Sequence, residues 1–338
     1  MEKIAITMSA YNAEKTIREA IESVLCQTYR DFVFFVADNG SNDSTWKIIC
    51  EYMQKDDRII AVKRKENYTG SYISVIYGLA DSENINEQLS NSKNYLEYFR
   101  DIRVADWICV IDSDDTMQPT FIEDMFNFVK SNNLDIAACG WDFVRPDNVE
   151  NRIPGEDLIY ETKQYTDNLP VYDKFMGPTW NKMFSRKVLA KHVNYFENKF
   201  AKLHSEGVFF YGADTCFNYI VLSKAERFGV LNKSLYNYNI HNSSVTRKNF
   251  HPMRIVADRR LAQCRFDFLN ELGNGISEEN RKFIFNIYYK STMTTLRLLA
   301  DSDNDIEYKV KHFSEMFNCA LMKEAMKDVT VKKSPLFY

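Results

Sequence analysis

Glycine and proline are scarce in this 338-residue chain, at 11 and 7 respectively. So few breakers exclude a collagenous, linker-rich or low-complexity polypeptide, and no repeat at a solenoid period is present. Long apolar runs are missing too, since no stretch approaches the roughly 18 uncharged residues that a membrane span requires. The opening Met1-Glu2-Lys3-Ile4-Ala5-Ile6 lacks the succession of charged, apolar and small residues that marks a secretory signal. There is no basic excess: 43 Lys and Arg stand against 47 Asp and Glu, a net charge of -4. A nucleic-acid binder would display a strongly basic face, so none is expected as a partner. The seven cysteines (Cys26, Cys50, Cys109, Cys139, Cys216, Cys264, Cys319) include no CxxC pair, and most sit in apolar runs such as Trp107-Ile108-Cys109-Val110-Ile111. Buried free thiols, a reducing compartment and a cytoplasmic location are expected.

Several catalytic signatures are absent as well. No G-x-G-x-x-G follows the first apolar run and no G-x-x-x-x-G-K-[ST] occurs, so neither a dinucleotide fingerprint nor a P-loop is supported. H-E-x-x-H and G-x-S-x-G are also missing, which removes the commonest zinc-protease and hydrolase signals.

What is present is the composition of a globular chain, with 45% hydrophobic and 27% charged residues. At about 150 residues per domain its length suits two domains, or one large domain with an appendage. Ile4 to Met8, Phe32 to Ala37, Arg58 to Lys63, Trp107 to Ile111 and Leu134 to Cys139 read as short buried strands. Helical spacing follows in Ile17, Ala20, Ile21, Val24 and Leu25, which Asn12 is placed to cap, and again from Ser44 through Trp46, Ile49 and Met53. A third helix carries Ile122, Met125, Phe126 and Val129, with Pro119 suited to its first position. Strands alternating with helices predict an α/β fold with a mostly parallel, Rossmann-like sheet covered by helices on both faces. Residues 81 to 104 form a polar stretch read as an insertion, 141 to about 248 is aromatic and mixed, and helical spacing resumes from about 252. The expected division is therefore 1–248 and a helical C-terminal appendage at 249–338. Its Phe, Leu, Ile and Met, interleaved with Lys and Arg, suggest docking to a second copy, a partner or the inner membrane surface.

In such sheets ligands bind beyond the carboxyl ends of the strands. Three polar turns fall there: Ser9-Ala10-Tyr11-Asn12, Asp38-Asn39-Gly40-Ser41 and Asp112-Ser113-Asp114-Asp115. The last is the sharpest, because clustered carboxylates repel one another unless a hard divalent cation such as Mn2+ or Mg2+ joins them. A solvated turn with helix-capping aspartates is the plainer alternative.

Taken in order, these motifs resemble the inverting family 2 nucleotide-sugar glycosyltransferases, which have a GT-A type fold. The resemblance rests on Ser9 to Glu14, Ser23-Val24-Leu25-Cys26-Gln27-Thr28-Tyr29, Ala37 to Thr45 and Val110 to Asp115. It continues more weakly through Trp180-Asn181-Lys182, Gly212-Ala213-Asp214-Thr215 and Tyr236 to Ser244, covering roughly residues 1 to 248. It implies transfer of a sugar from a nucleoside diphosphate sugar, a UDP-sugar first, to a saccharide or lipid-linked acceptor in cell-surface polysaccharide or glycolipid synthesis. Ser9, Tyr11, Glu14, Asp38, Asn39, Gly70 and Asp112 are implied to line the nucleotide. Asp114 and His241 are implied at the metal and diphosphate, Trp180 and Lys182 at the sugar and acceptor cleft, and Asp214 as the catalytic base. The same positions have plainer readings: Asp214 as a helix N-cap, His241 as a satisfied loop histidine and Trp180 as packing.

Three departures stand out. Asn39 replaces the second aspartate of the family pattern, so an uncharged amide oxygen meets the base. Ala213-Asp214 replaces a Glu-Asp pair, and Ile73-Ser74-Val75-Ile76 replaces the Ala-Arg-Asn stretch after Gly70. Two other readings stay open: a sugar nucleotidyltransferase, and a degenerate transferase that only binds nucleotide sugar.

Overall fold

The computed structural model describes residues 2–64, 105–192, 195, 199, 212–240 and 249–327. The stretch at 81–104 read as an insertion lies outside the described residues. The chain divides into two units: residues 1–162, 178–198 and 224–240, and residues 163–177, 199–223 and 241–338. The second unit thus draws on two segments that precede the 248/249 division expected from sequence.

The first unit holds a sheet of ten described strands. They are β1 (Ile4–Ala10), β2 (Phe32–Asp38), β3 (Ile59–Lys63), β4 (Trp107–Asp112), β5 (Thr116–Met117), β6 (Ile136–Val144), β7 (Val149–Arg152), β8 (Leu158–Glu161), β9 (Lys182–Ser185) and β10 (Arg227–Asn239). Along the sheet the order is β3-β2-β1-β4-β9-β6-β10-β5, with β7 on β6 and β8 on β10. β3, β2, β1 and β4 pair in parallel, as do β6 and β10, whereas β9 runs antiparallel to both β4 and β6. All seven residues of β2 are buried, the pattern of a parallel strand covered on both faces. The α/β reading holds, with the expected parallel sheet in β3-β2-β1-β4 and β6-β10, while the short strands β5, β7, β8 and β9 add antiparallel pairings.

Helices α1 (Ile17–Leu25), α2 (Thr45–Met53), α3 (Phe121–Asn132) and, nearer the end of this unit, a short helix at Arg186–Lys191 flank the sheet's sequence. Helix α1 buries Ile17, Ala20, Ile21 and Val24, one stripe at helical spacing. Two expected starts are corrected. Asn12 does not cap α1, whose N-cap is Thr16; Asn12 instead has φ of 49° and its Oδ1 accepts the Asn42 N–H at 2.9 Å. A short amide side chain tolerates that left-handed conformation and bonds locally. Nor does Pro119 open α3, which begins at Phe121; the Pro119 carbonyl is used instead by the Thr28 N–H at 2.9 Å.

At Gly140 in β6 the neighbouring chain leaves no room for a side chain. A Cβ there would lie 2.5 Å from the Arg152 carbonyl oxygen, 2.6 Å from Ile153 Cγ2 and 3.0 Å from the Lys233 carbonyl oxygen. Opposite it the β10 register shifts on both sides of Ser234, so irregular backbone leans over a position without a side chain. Gly140→Ala is expected to cost about 1–3 kcal/mol of stability in urea unfolding. A midpoint unchanged from the parent would show that the bulge yields freely.

The described regular elements of the second unit are helices: α4 (Tyr165–Tyr172), then α6 (Ala213–Leu222), α7 (Met253–Glu271), α8 (Glu278–Ala300), α9 (Ile306–Phe317) and α10 (Ala320–Ala325), counting Arg186–Lys191 as α5. Ile255, Leu299 and Met316 form one small apolar cluster in it, edged by Phe250, Leu296, Tyr308 and Phe317. Polar groups are buried beside it. Asp258 on α7 accepts from the Ser291 hydroxyl and, at 2.7 Å, from Thr295 Oγ1 on α8, and burial holds its carboxyl above the ordinary range. On α9, Ile306, Val310 and Phe313 are exposed. No described helix is long and apolar enough to cross a membrane.

Candidate active site

Parallel pairing delivers three turns to one edge of the sheet. The register places Ser9 of β1 beside both Ala37 of β2 and Asp112 of β4, and Ala10 beside Asp38. The two turns after β1 and β2 then interlock. Asn12 N–H donates to Ser41 Oγ at 2.9 Å, Ala13 N–H to Thr45 Oγ1 at 2.7 Å, and Ser44 N–H to Glu14 Oε2 at 3.0 Å. Glu14 therefore holds the entry to α2, while Tyr11 is exposed on the first turn.

Asp38 is wholly buried, and its Oδ1 accepts both the N–H and the hydroxyl of Ser41. Its other oxygen lies 4.0 Å from Lys63 Nζ. Asp38 thus shapes the turn that presents Asn39. The Asn39 amide donates to Ser9 Oγ at 2.6 Å and accepts from Arg64 Nη1 at 3.3 Å. Arg64, which no sequence motif flagged, gives this uncharged position a cationic neighbour.

The acidic turn at the end of β4 brings ligand oxygens of Asp112, Asp114 and Asp115 within 4.8 Å of one another. Asp112 is half-buried, Asp114 exposed and Asp115 only 1% exposed. Burial pushes the Asp115 carboxyl up to about 9, and the charges of Asp112 and Asp114 reinforce it; the Asn239 N–H and the Tyr236 hydroxyl work against them. Hard carboxylate oxygens at this spacing fit a Mn2+ or Mg2+ ion, which takes one or two protein carboxylates and completes its shell with phosphate and water. The three aspartates are the sole group of this kind among the described residues.

Trp180 and Lys182 belong to the same unit, and both are buried. The Trp180 ring stacks on Tyr236 with centroids 4.2 Å apart and planes at 13°, lies 5.6 Å from the Tyr238 ring and meets Trp141 edge-on at 5.4 Å. The Lys182 ammonium donates to the Pro178 carbonyl and, at 2.8 Å, to Asn181 Oδ1. Aromatic packing and internal hydrogen bonds are what the fold shows for this pair.

Asp214 falls in the helical unit. Gly212, with φ of 79°, is the N-cap of α6, and Asp214 stands in its first turn, half-exposed, rather than capping it. A carboxylate is electrostatically favoured at that end of a helix. Asn218 anchors the helix through Nδ2 to the Met176 carbonyl at 2.8 Å, as does Thr215 Oγ1 to the Gly177 carbonyl at 3.2 Å. Ser9, Asp38, Asn39, Asp112 and Asp114 therefore share one sheet edge, whereas Asp214 belongs to the other unit. Gly70 and His241 lie outside the described residues. Sequence reasoning passed over Arg64 and gave no role to Tyr236 and Asn239, which it included only as part of the Tyr236 to Ser244 stretch; the role of a tyrosine or asparagine inside a strand shows only once its partner is known.

The family described as Glycosyl transferase family 2 matches residues 5–84 and 96–193, more than half of the chain, and its interruption falls within the polar stretch at 81–104. Among curated proteins, an uncharacterized glycosyltransferase, MJ1057 of Methanocaldococcus jannaschii, is 32% identical over 141 residues, 37% of this chain and 48% of that protein. WfaP of Escherichia coli, a UDP-Glc:alpha-D-GlcNAc-diphosphoundecaprenol beta-1,3-glucosyltransferase, is 30% identical over 134 residues, 40% of this chain and 44% of that one. The chain thus spans less than half the length of these two relatives. Among solved structures, residues 1–349 of Staphylococcus aureus TarS in complex with UDP-GlcNAc superpose with a TM-score of 0.51 at 15% identity, over 97% of this chain and 91% of that one. That likeness is one of fold, the GT-A type.

Proposed function

The chain belongs to glycosyl transferase family 2, and from that premise we propose a metal-dependent, inverting transfer of sugar from a nucleoside diphosphate sugar to a saccharide or lipid-linked hydroxyl. The observation that carries the reading is the acidic turn itself: clustered carboxylates at the end of β4, on the sheet edge that also presents Ser9 and the Asp38-Asn39 turn. The nucleotide lies along Ser9, Tyr11, Asn39 and Asp112, with Asp38 and Glu14 fixing the turns and Gly70 on the donor side. Asp114, with Asp112 and His241, would hold Mn2+ or Mg2+, which neutralises charge on the departing diphosphate. Asp214 takes the proton from the acceptor hydroxyl as that oxygen attacks the anomeric carbon from the face opposite the leaving group. Trp180 and Lys182 support the sugar and acceptor side from within the fold.

WfaP, by its name, uses UDP-glucose and a diphosphoundecaprenol-linked acceptor; those two compounds are the first pair to test here. Such an acceptor would place this chain at the inner membrane face, in cell-surface polysaccharide synthesis. Transfer is expected to fall by about 10-fold or more in EDTA and to return with Mn2+, because the diphosphate loses its counter-ion. Release of pyrophosphate in place of a nucleoside diphosphate would favour a nucleotidyltransferase. Binding without turnover of any nucleotide sugar would favour the binding module.

A further inference from the structure

The end of β10 reaches several of the groups that shape the acidic turn, while the Thr16 hydroxyl holds another, the Ser113 carbonyl, at 3.0 Å. The Tyr236 hydroxyl accepts the Asp112 N–H at 3.1 Å and donates to Asp115 Oδ2 at 3.0 Å. Asn239, three residues on, donates its N–H to Asp115 Oδ1 at 2.8 Å and its side-chain amide to the Asp114 carbonyl at 3.0 Å. Between them, Asn237 meets Thr116 Oγ1 at 3.0 Å and accepts from Gln118 Nε2 at 3.0 Å, where β10 pairs antiparallel with β5. The Tyr236 ring is itself immobilised, wholly buried against Trp180 and edge-on to Phe121. Asp115 differs from its two neighbours in being buried, and Tyr236 and Asn239 each hold one of its oxygens.

We propose that Tyr236 is a positioning residue for the cation site, pinning the turn through Asp112 and Asp115 so that Asp112 and Asp114 stand ready as ligands. Asp115 is then an anchor and not a ligand. This rests on the reading of the acidic turn as the site of the donor's divalent ion. The physical case is one of preorganisation. Two carboxylates held this close repel, and a turn free to relax would part them. The hydroxyl satisfies a backbone donor and a buried carboxyl oxygen at once, so opening the turn there would leave both short of a partner. Groups that orient metal ligands in this way typically contribute 10–100-fold in metal affinity when removed.

Tyr236→Phe in the full chain tests it, because the ring and its stacking on Trp180 are kept while the hydroxyl goes. Mn2+ binding, followed from the free-ion electron paramagnetic resonance signal with and without UDP, is expected to weaken by about 10-fold or more. The Mn2+ concentration that half-saturates transfer should rise by the same factor, with kcat at saturating Mn2+ little changed, and near-UV circular dichroism should match the parent. Asn239→Ala, which removes only the contact to the Asp114 carbonyl, should weaken Mn2+ binding to a smaller degree and serves if Tyr236→Phe does not fold. Parent-like Mn2+ affinity in the folded variants overturns the positioning role and leaves the functional reading intact. Failure of the unaltered chain to bind Mn2+ with or without UDP overturns both.

Discussion

Transfer by Asp214→Asn is expected to fall by about 10²-fold or more while affinity for Mn2+ and a nucleoside diphosphate stays that of the unaltered chain. The amide keeps the size of the side chain and its place in the first turn of α6, but it cannot accept the proton of an acceptor hydroxyl. Asp114→Ala should behave differently, losing metal-dependent nucleotide binding and transfer together, because the diphosphate charge would lose the carboxylate that brings its counter-ion. Calorimetry with UDP and Mn2+, run beside a transfer assay, separates the two. Near-normal transfer by Asp214→Asn would remove Asp214 as the base. Undiminished metal-dependent binding by Asp114→Ala would remove Asp114 from the metal site.

The largest loss of stability is expected inside the helical unit. Asp173 and Arg265 are both buried and joined by two hydrogen bonds, Nε to Oδ1 at 2.5 Å and Nη2 to Oδ2 at 3.1 Å. The Tyr219 hydroxyl donates to the same carboxylate, and the Arg265 guanidinium lies 5.5 Å from the Tyr219 ring centre. Burial by itself would lower the Arg265 pKa, yet the Asp173 charge outweighs it and holds the guanidinium above its ordinary value. Taking away one partner leaves the other charged and dry, so Arg265→Met should cost about 3–5 kcal/mol. Adding Asp173→Leu to that variant should recover much of the loss, since two apolar groups carry no desolvation penalty. Urea unfolding of both single variants and the double one measures the coupling, and a single-variant cost below about 1 kcal/mol would show that water reaches the pair.

The part of the fold that could be read from sequence is the part whose signal is local. Phe32 to Ala37 is an unbroken apolar run because β2 is covered on both faces, and Ile17, Ala20, Ile21 and Val24 repeat at helical spacing because one stripe of α1 is buried. The acidic turn was legible for a similar reason, since adjacent carboxylates are costly unless something uses them. Asn12 misled because asparagine serves equally as a helix cap and as a left-handed turn residue, and its partner Asn42 is 30 positions away. The roles of Tyr236 and Asp173 could not be read for want of distance information: their partners lie 124 and 92 positions away. Asp258 and Arg265 are buried in α7, so charged residues interrupt its apolar spacing without marking its exposed side.

The helical unit is assembled from residues 163–177, 199–223 and 241–338, and this matters for how the chain is made. On a ribosome, Asp173 and Tyr219 emerge well before Arg265, so the carboxylate must wait solvated until the guanidinium arrives. The unit therefore completes its core only late in synthesis. For the same reason, a gene shortened at residue 248 would not yield a tidy catalytic fragment. It would deliver a protein whose Asp173 has lost its counter-charge, with the segments around α4 and α6 left without the helices that cover them.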